Sequence, residues 1–133
     1  MSRWIRYRHH TASCFGLVEN DAIVPHTDNI YNKPSVDESQ APIKLSDMDA
    51  ENIQLLIPST PTKMVALWNN YRALADEKGL KYPEPPLYLL KPASSFLAGG
   101  QCIMHPPSYA GKVFYEGELG IVIGRQALSL IHI

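Results

Sequence analysis

Residues 113–124, in the last part of the chain, are predominantly apolar and predict a buried strand, with Glu116 and Glu118 two positions apart among them. Successive side chains of a β-strand point to opposite faces, so the two glutamates would share one face, opposite an apolar face. On such a strand the Cα atoms of the two glutamates would lie roughly 6.5–7 Å apart. The pattern predicts a strand that buries the residues of the apolar face, which are Val113, Tyr115, Leu119, Ile121 and Ile123.

The two glutamates on one face have two interpretations. Carboxylates this close repel each other unless one takes up a proton or a cation lies between them. Oxygen ligands of this kind suit magnesium or manganese, so the more specific hypothesis is a divalent metal site. The simpler alternative is a solvated outer face of the strand. Gly117 and Gly120 favour the metal site, because glycine weakens a strand unless a ligand or another backbone comes close.

Upstream, shorter segments have the composition of strands, turns and helices. Two apolar runs, 15–18 and 22–25, flank the turn sequence Glu19-Asn20-Asp21 and predict a β-hairpin. A polar start followed by two leucines predicts a short helix within residues 47–57. Further apolar strands are expected over residues 63–68 and 87–91.

A helix is predicted between these last two strands. Asn69 or Asn70 can cap its first turn, and Gly79 suits its C-terminal end. Tyr71, Leu74 and Ala75 recur at helical spacing and would form its inward stripe.

Composition excludes several classes of function. The 133 residues carry 12 basic and 13 acidic side chains, and a net charge of −1 favours neither nucleic acid nor an anionic membrane surface as partner. The basic start of the chain is followed by no hydrophobic signal core. Cys14 and Cys102 lie far apart without metal-ligand spacing, which is typical of free thiols in a reduced, cytoplasmic protein.

The expected fold class is α+β and predominantly β. A small β-rich module is expected over residues 1–60, and a second domain over residues 61–127, which starts after Pro58 and Pro61 mark a boundary. Residues 128–133 resemble translated sequencing adapter and are expected to be a non-native tail.

Three motifs occur in order in the second domain. They are Val65-Ala66-Leu67-Trp68-Asn69-Asn70-Tyr71, Leu89-Leu90-Lys91-Pro92-Ala93-Ser94-Ser95, and Tyr115-Glu116-Gly117-Glu118-Leu119 with Val122-Ile123-Gly124. In order and separation they resemble the fumarylacetoacetate hydrolase family over roughly residues 63–126, and the upstream module resembles the small N-terminal region of many members. The resemblance implies a mixed β-sandwich roll as catalytic domain, of which this chain would hold only the start.

The resemblance also implies a chemistry. Glu116 and Glu118 match the family's metal ligands for magnesium, manganese or sometimes calcium, and Lys91 matches its active-site lysine. Tyr71 falls in the Asn-Tyr segment that opens the family's lid-like helix. Arg72, the next residue, is near enough along that helix to reach a substrate carboxylate, and both are candidates for substrate binding. Family enzymes act on small 2-oxo acids, and a cation chelated by such an acid stabilises developing enolate charge. The family is typically cytoplasmic and often dimeric, so the full-length protein is expected to form a homodimer.

Two departures from the family pattern limit the prediction. Many members have a histidine–glutamate pair that activates water; here Leu74 stands at the first position and Glu77 at the second. Arg72 and Glu77 can equally be surface charges of the helix, and Lys91 can extend its amine to solvent. The family's third metal ligand, an aspartate, would follow the last residue. We therefore expect the 133-residue chain to be inactive by itself.

The expected activity of the full-length parent is carbon–carbon hydrolysis of an acylpyruvate or a fumarylacetoacetate-like compound. Isomerisation or decarboxylation of a hydroxymuconate-type diacid, and hydration of an oxopentenoate, are alternatives that do not need the same activated water. The alternative from another class of function is a non-catalytic member of the family that serves in assembly or regulation.

Overall fold

The computed structural model describes residues 2–125. Among these, one unit comprises residues 2–59 together with residues 98–125, and the other is Thr60–Leu97. The described chain has seven strands and one short α-helix. This confirms that the fold is predominantly β, while the expected β-sandwich roll stays a prediction. The expected boundary at residues 60 and 61 stays a prediction, and the expected tail at 128–133 lies outside the described residues.

Five strands of the first unit form one antiparallel sheet in the order β4-β3-β2-β1-β5. They are β1 (Arg3–His9), β2 (Ala12–Glu19), β3 (Ala22–His26), β4 (Ile43–Lys44) and β5 (Gln54–Leu55). The predicted hairpin is confirmed as β2 and β3, with Glu19 opposite Ala22. Its two turn residues, Asn20 and Asp21, have φ angles of 47° and 58°. Two positive φ values are what the type I′ turn requires, and asparagine and aspartate tolerate them better than most residues.

The core of this unit lies against one face of the sheet. Tyr7, Ile23 and Ile53 are buried together, and partly buried side chains surround them, namely Ile5, Cys14, Ile43, Leu45 and Met48. Gly16 lies in β2 beside this core: a Cβ atom added there would be 2.6 Å from Ile23 Cγ2 and 3.3 Å from Tyr7 Cε1. The absent side chain of Gly16 therefore leaves the space that Tyr7 and Ile23 occupy.

The helix predicted within residues 47–57 is wrong. A single 3-10 turn, Leu45–Asp47, is followed by irregular turns and then by β5, which pairs with β1. Ile53 is buried in the core, and Leu55 pairs with Tyr7. Pairing with a neighbouring strand and burial of Ile53 thus decide the conformation, whereas an isolated short helix gains little from its own hydrogen bonds.

The second unit contains an antiparallel pair, β6 (Met64–Trp68) and β7 (Leu87–Lys91), with α1 (Arg72–Glu77) between them in the chain. Both strands were predicted. The helix starts later than expected: Tyr71 occupies the N-cap position, where its side chain does not cap the helix, and Asn69 takes a φ of 52° before it. Of the predicted stripe, Ala75 is buried, whereas Tyr71 and Leu74 stay largely exposed.

Gly79 ends the helix as the sequence predicts. Its φ is +61°, its N–H donates to the Asp76 carbonyl, and the Leu80 N–H donates to the Ala75 carbonyl at 2.8 Å. These two bonds form a Schellman motif, in which a residue with left-handed backbone satisfies carbonyls of the last turn.

The strand predicted over residues 113–124 is not formed in the described structure. No residue from 101 to 125 belongs to a strand or helix. The predicted apolar face is open to solvent, with Tyr115 96% and Leu119 83% exposed. A strand needs a neighbouring strand to pair with, and among residues 2–125 no strand pairs with this segment.

Candidate metal pair and carboxylate pocket

Glu116 and Glu118, the predicted metal ligands, both lie in the irregular segment of the first unit and are exposed. A Cβ atom added at Gly117 or Gly120 would meet no atom within 4 Å. The predicted reason for these glycines, a close approach of a ligand or of another backbone, stays a prediction. Within residues 2–125 no group of three or more histidine, cysteine or acidic side chains is arranged to hold a metal ion.

The donor set nevertheless has the right chemistry for a hard divalent cation. Two carboxylates supply oxygen ligands, and magnesium commonly binds one or two protein carboxylates and keeps water at its other positions. Glu116 and Glu118 could thus hold a magnesium or manganese ion weakly, with further ligands completing the coordination sphere. The assignment of these two residues stays a prediction.

The other predicted site residues belong to the second unit. Tyr71 is the N-cap of α1, Arg72 and Glu77 are its first and last residues, and Lys91 ends β7 opposite Met64. All four are exposed. The structure thus groups Tyr71, Arg72 and Glu77 on one helix, and it places Lys91 on the strand that pairs with β6.

An open pocket of about 250 Å3 lies inside the second unit, and of the predicted residues Arg72 lines it. The end of β6, the residues before α1 and the proline-rich segment before β7 form its walls, with Leu67, Trp68, Asn69, Asn70, Tyr82, Pro83, Pro86 and Leu87. The side-chain amide of Asn69 donates to the Lys81 carbonyl at 2.9 Å, which joins the end of β6 to the segment that contains Tyr82.

Tyr82 connects two charged residues of α1. Its hydroxyl donates a hydrogen bond to the Asp76 carboxylate, and the Arg72 guanidinium carbon lies 5.8 Å from the centre of its ring. The hydrogen bond to Asp76 raises the pKa of Tyr82, and the positive charge of Arg72 opposes that shift. The phenol therefore stays protonated and remains a donor to Asp76 at neutral pH.

Sequence reasoning missed Tyr82 and Trp68, which line this pocket, and Asp76, which accepts the hydrogen bond of Tyr82. Arg72 and Asp76 are four residues apart in α1, a spacing that predicts a surface ion pair. Nothing in the sequence indicates that Tyr82 lies beside both of them, because it follows the helix across a turn whose path depends on the left-handed Gly79. An aromatic residue followed by proline, Tyr82-Pro83, was the one local signal of a fixed position.

In the part of the chain that the structure describes, no helix is long and apolar enough to cross a membrane.

Comparison with known proteins gives information about the family of the chain. The family model described as fumarylacetoacetate (FAA) hydrolase C-terminal matches residues 63–130, just over half of the chain. No solved structure matches the chain at a significant level.

Several curated proteins are similar to the chain. It is 40% identical over 71 residues to a mitochondrial oxaloacetate decarboxylase of Dictyostelium discoideum, and the matched region covers 53% of this chain and 33% of that protein. It is 41% identical over 66 residues to the mitochondrial oxaloacetate tautomerase FAHD1 of Arabidopsis thaliana, where the match covers 50% of this chain and 29% of that protein. It is 35% identical over 78 residues to an uncharacterized protein of Archaeoglobus fulgidus, where the match covers 59% of this chain and 31% of that protein. The chain thus spans about a third of the length of the curated relatives it matches.

Proposed function

Because the chain belongs to the fumarylacetoacetate hydrolase family, we propose that its protein is an enzyme that acts on a small 2-oxo acid bound to a divalent cation. The observation that supports this most is the family match itself, since the matched residues 63–130 include both Glu116 and Glu118. The two exposed carboxylates are a donor set that suits magnesium or manganese.

The favoured reaction is decarboxylation or tautomerisation of an oxaloacetate-like acid. Two of the similar proteins carry the names oxaloacetate decarboxylase and oxaloacetate tautomerase. Leu74 supports the same choice, because leucine cannot take a proton from water and hydrolysis requires an activated water. Hydrolysis of an acylpyruvate is the second candidate, and it is supported by Glu77, which keeps a carboxylate where the water-activating pair would have its acid.

Each predicted residue then has a role. Glu116 and Glu118 hold the cation, which supplies stabilisation of the negative charge that develops on the carbonyl oxygen of the acid. Arg72, with Tyr71 beside it, binds a carboxylate of the substrate by charge-assisted hydrogen bonds. Lys91 and Glu77 are the groups available to move a proton. A cytoplasmic homodimer remains the expected form of the full-length protein.

Metal binding is the first test. Mn2+ added to the 15N-labelled chain should broaden the amide resonances of residues 116–118, and the broadening should be lost in Glu116→Gln and Glu118→Gln. Glu84→Gln removes an exposed glutamate of the second unit and serves as the matched control. Broadening that persists in the double variant Glu116→Gln/Glu118→Gln would refute the assignment of the ligands.

Turnover is the second test. Oxaloacetate loss and pyruvate formation are followed with Mg2+ or Mn2+, both for this chain and for the protein encoded by its whole source gene. We expect no turnover by the 133-residue chain and metal-dependent turnover by the whole gene product. A whole gene product that binds no metal and converts no 2-oxo acid would overturn the proposal in favour of a non-catalytic family member.

A further inference from the structure

The sheet of the first unit has a second face, opposite the one that carries Tyr7 and Ile23 in the core. Residues that lie opposite each other in paired strands share a face, so the registers of β5, β1, β2 and β3 define rows across the sheet. Three rows form this second face: Gln54, Arg8 and Ser13 in the first, Arg6, Phe15 and His26 in the second, and Trp4, Leu17 and Val24 in the third. We call these nine residues the outer face. None of them is fully buried, and none belongs to the core cluster.

Two arginines give the first two rows of the outer face a positive charge. Arg6 Nε donates to Ser13 Oγ at 3.0 Å, and Arg8 Nη1 donates to Gln54 Oε1 at 3.1 Å. Both partners are neutral, so they hold the guanidinium groups in place without cancelling their charge. Among residues 2–125 neither arginine forms an ion pair with a carboxylate.

The distribution of charge on this face differs from that of the whole chain. Glu19 lies on the same side of the sheet beyond the third row, where the register places Lys44 in line with it across Ala22. That end of the face is therefore neutral, and the net positive charge lies at the two arginines. The chain as a whole has a net charge of −1, so composition alone gives no indication of this separation.

Three aromatic rings lie next to the arginines, one on each of β1, β2 and β3. The rings of Trp4 and His26 meet edge to face with their centres 4.6 Å apart, and the Arg6 guanidinium carbon lies 6.0 Å from the centre of the Phe15 ring. His26 Nδ1 donates to the Val24 carbonyl at 2.9 Å, which fixes the imidazole on the sheet. Aromatic rings and guanidinium planes beside a positive charge are the groups on which unpaired bases stack while arginines bind the phosphates.

We propose that the outer face binds single-stranded nucleic acid, with phosphates at Arg6 and Arg8 and bases against Trp4 and Phe15. The two arginines alternate along β1 and lie roughly 6.5–7 Å apart at Cα, so each can bind a phosphate of its own. An acidic peptide would satisfy the arginines but has no planar bases for the aromatic rows. A duplex has its bases stacked inside and offers only its phosphates. No residue of the outer face belongs to the metal pair or to the pocket, so this site is independent of the proposed enzymatic function.

The probe is a fluorescein-labelled RNA of twelve uridines, titrated with the 133-residue chain in EDTA and followed by fluorescence anisotropy. We expect saturable binding with a dissociation constant of about 10–100 μM at low salt, in the range of sequence-independent contacts. Two phosphate contacts predict a slope of about −1.4 in log affinity against log salt, so the affinity should fall about sevenfold between 50 and 200 mM salt. The same RNA annealed to twelve adenosines should bind more weakly. No saturable binding at 50 mM salt, or a duplex that binds as tightly as the single strand, would overturn the proposal.

Charge variants locate the site. Arg6→Gln and Arg8→Gln should each weaken binding and reduce the salt slope by about 0.7, the value for one phosphate of a single strand. Arg3→Gln is the matched control, because Arg3 is an exposed arginine of the same strand whose register with Val18 places it on the opposite side of the sheet. Equal losses in all three variants would show a general effect of charge and contradict a specific face.

Aromatic variants and a competitor separate nucleic acid from other acidic chains. Trp4→Leu and Phe15→Leu should each weaken RNA binding about fivefold or more, the loss of one stacked base, with the salt slope unchanged. Tyr88→Leu removes an exposed aromatic ring of the second unit and should have no effect. Thermal unfolding by circular dichroism checks that each variant is folded, and the two arginine variants decide the outcome if an aromatic variant is not. A peptide of twelve glutamates that displaces the labelled RNA as well as unlabelled RNA does would show a site for acidic chains in general, and the proposal would be wrong.

Discussion

The close packing around Gly16 leads to a quantitative prediction for Gly16→Ala. The added Cβ atom would lie 2.6 Å from Ile23 Cγ2, 3.0 Å from the Val24 carbonyl oxygen and 3.3 Å from Tyr7 Cε1. Carbon atoms in proteins pack best at roughly 3.5–4.0 Å, so Ile23 at least must move. Ile23 and Tyr7 are both fully buried, and neither can turn towards solvent without opening the core.

The expected size of the effect combines two opposing contributions. Overpacking of a filled core typically costs about 1–3 kcal/mol. Replacing glycine by alanine also restricts the unfolded chain and returns about 0.4–1 kcal/mol. With central values of about 2 and about 0.7 kcal/mol for the two contributions, the net loss in free energy of unfolding should be about 1.3 kcal/mol, which lowers the Tm by about 5–10 °C.

Thermal and urea unfolding followed by circular dichroism measure this loss. Gly99→Ala is the matched control, because a Cβ atom there would have one ordinary contact, 3.8 Å from Leu55 Cδ1. The control should change the free energy of unfolding by less than about 0.5 kcal/mol. If Gly16→Ala is as stable as the parent chain while Gly99→Ala behaves as expected, the packing argument for β2 is wrong.

Two further predictions concern the same unit. Tyr7 is fully buried, its hydroxyl has no hydrogen-bond partner within the described residues, and burial raises its pKa from 10.0 to about 12. The stability that this shift represents is complete below pH 10 and is lost as the pH rises towards 12, because the unfolded chain releases the proton first. Tyr7→Phe should abolish that loss of stability, measured by urea unfolding at pH 9 to 12. At pH 7 the same variant should be neutral or stabilising by about 1 kcal/mol, and a clear destabilisation there would mean that the hydroxyl has a partner. Asp21→Gly should raise the Tm by a few degrees, because glycine adopts the φ of 58° without steric cost. Asp21→Val should lower the Tm, and equal Tm values for the two variants would contradict the assigned turn.

Local chemistry explains the elements that were predicted correctly. The turn at Asn20-Asp21 and the helix end at Gly79 depend on residues that tolerate positive φ, and both have it in the structure. Strands β6 and β7 are short apolar runs bounded by turn residues, and they pair with each other as two neighbouring runs of that kind can. Such features are set within a few residues of the chain, so the sequence is sufficient to recognise them.

The failed helix shows where a local pattern misleads, and strand β1 makes contacts that no local pattern predicts. In β1, Arg6 donates to Ser13 Oγ and Arg8 donates to Gln54 Oε1 on the neighbouring strands. The segment predicted as a helix within residues 47–57 contributes Ile53 to the core and Leu55 to the ladder with β1. Both outcomes depend on partners distant in sequence, and their contributions exceed short-range propensity.

The sequence by itself determined the family motifs, the turn residues and the candidate ligands Glu116 and Glu118, because these depend on residue type and spacing along the chain. Tertiary structure alone decided that Gly16 makes room for Tyr7 and Ile23, and that Tyr82 lies beside both Asp76 and Arg72. It also decided that residues 113–124, without a neighbouring strand among the described residues, form no strand of their own. The physical reason is the same in each case: burial and hydrogen bonding between distant segments require both partners in place, and no pattern within one segment specifies the other.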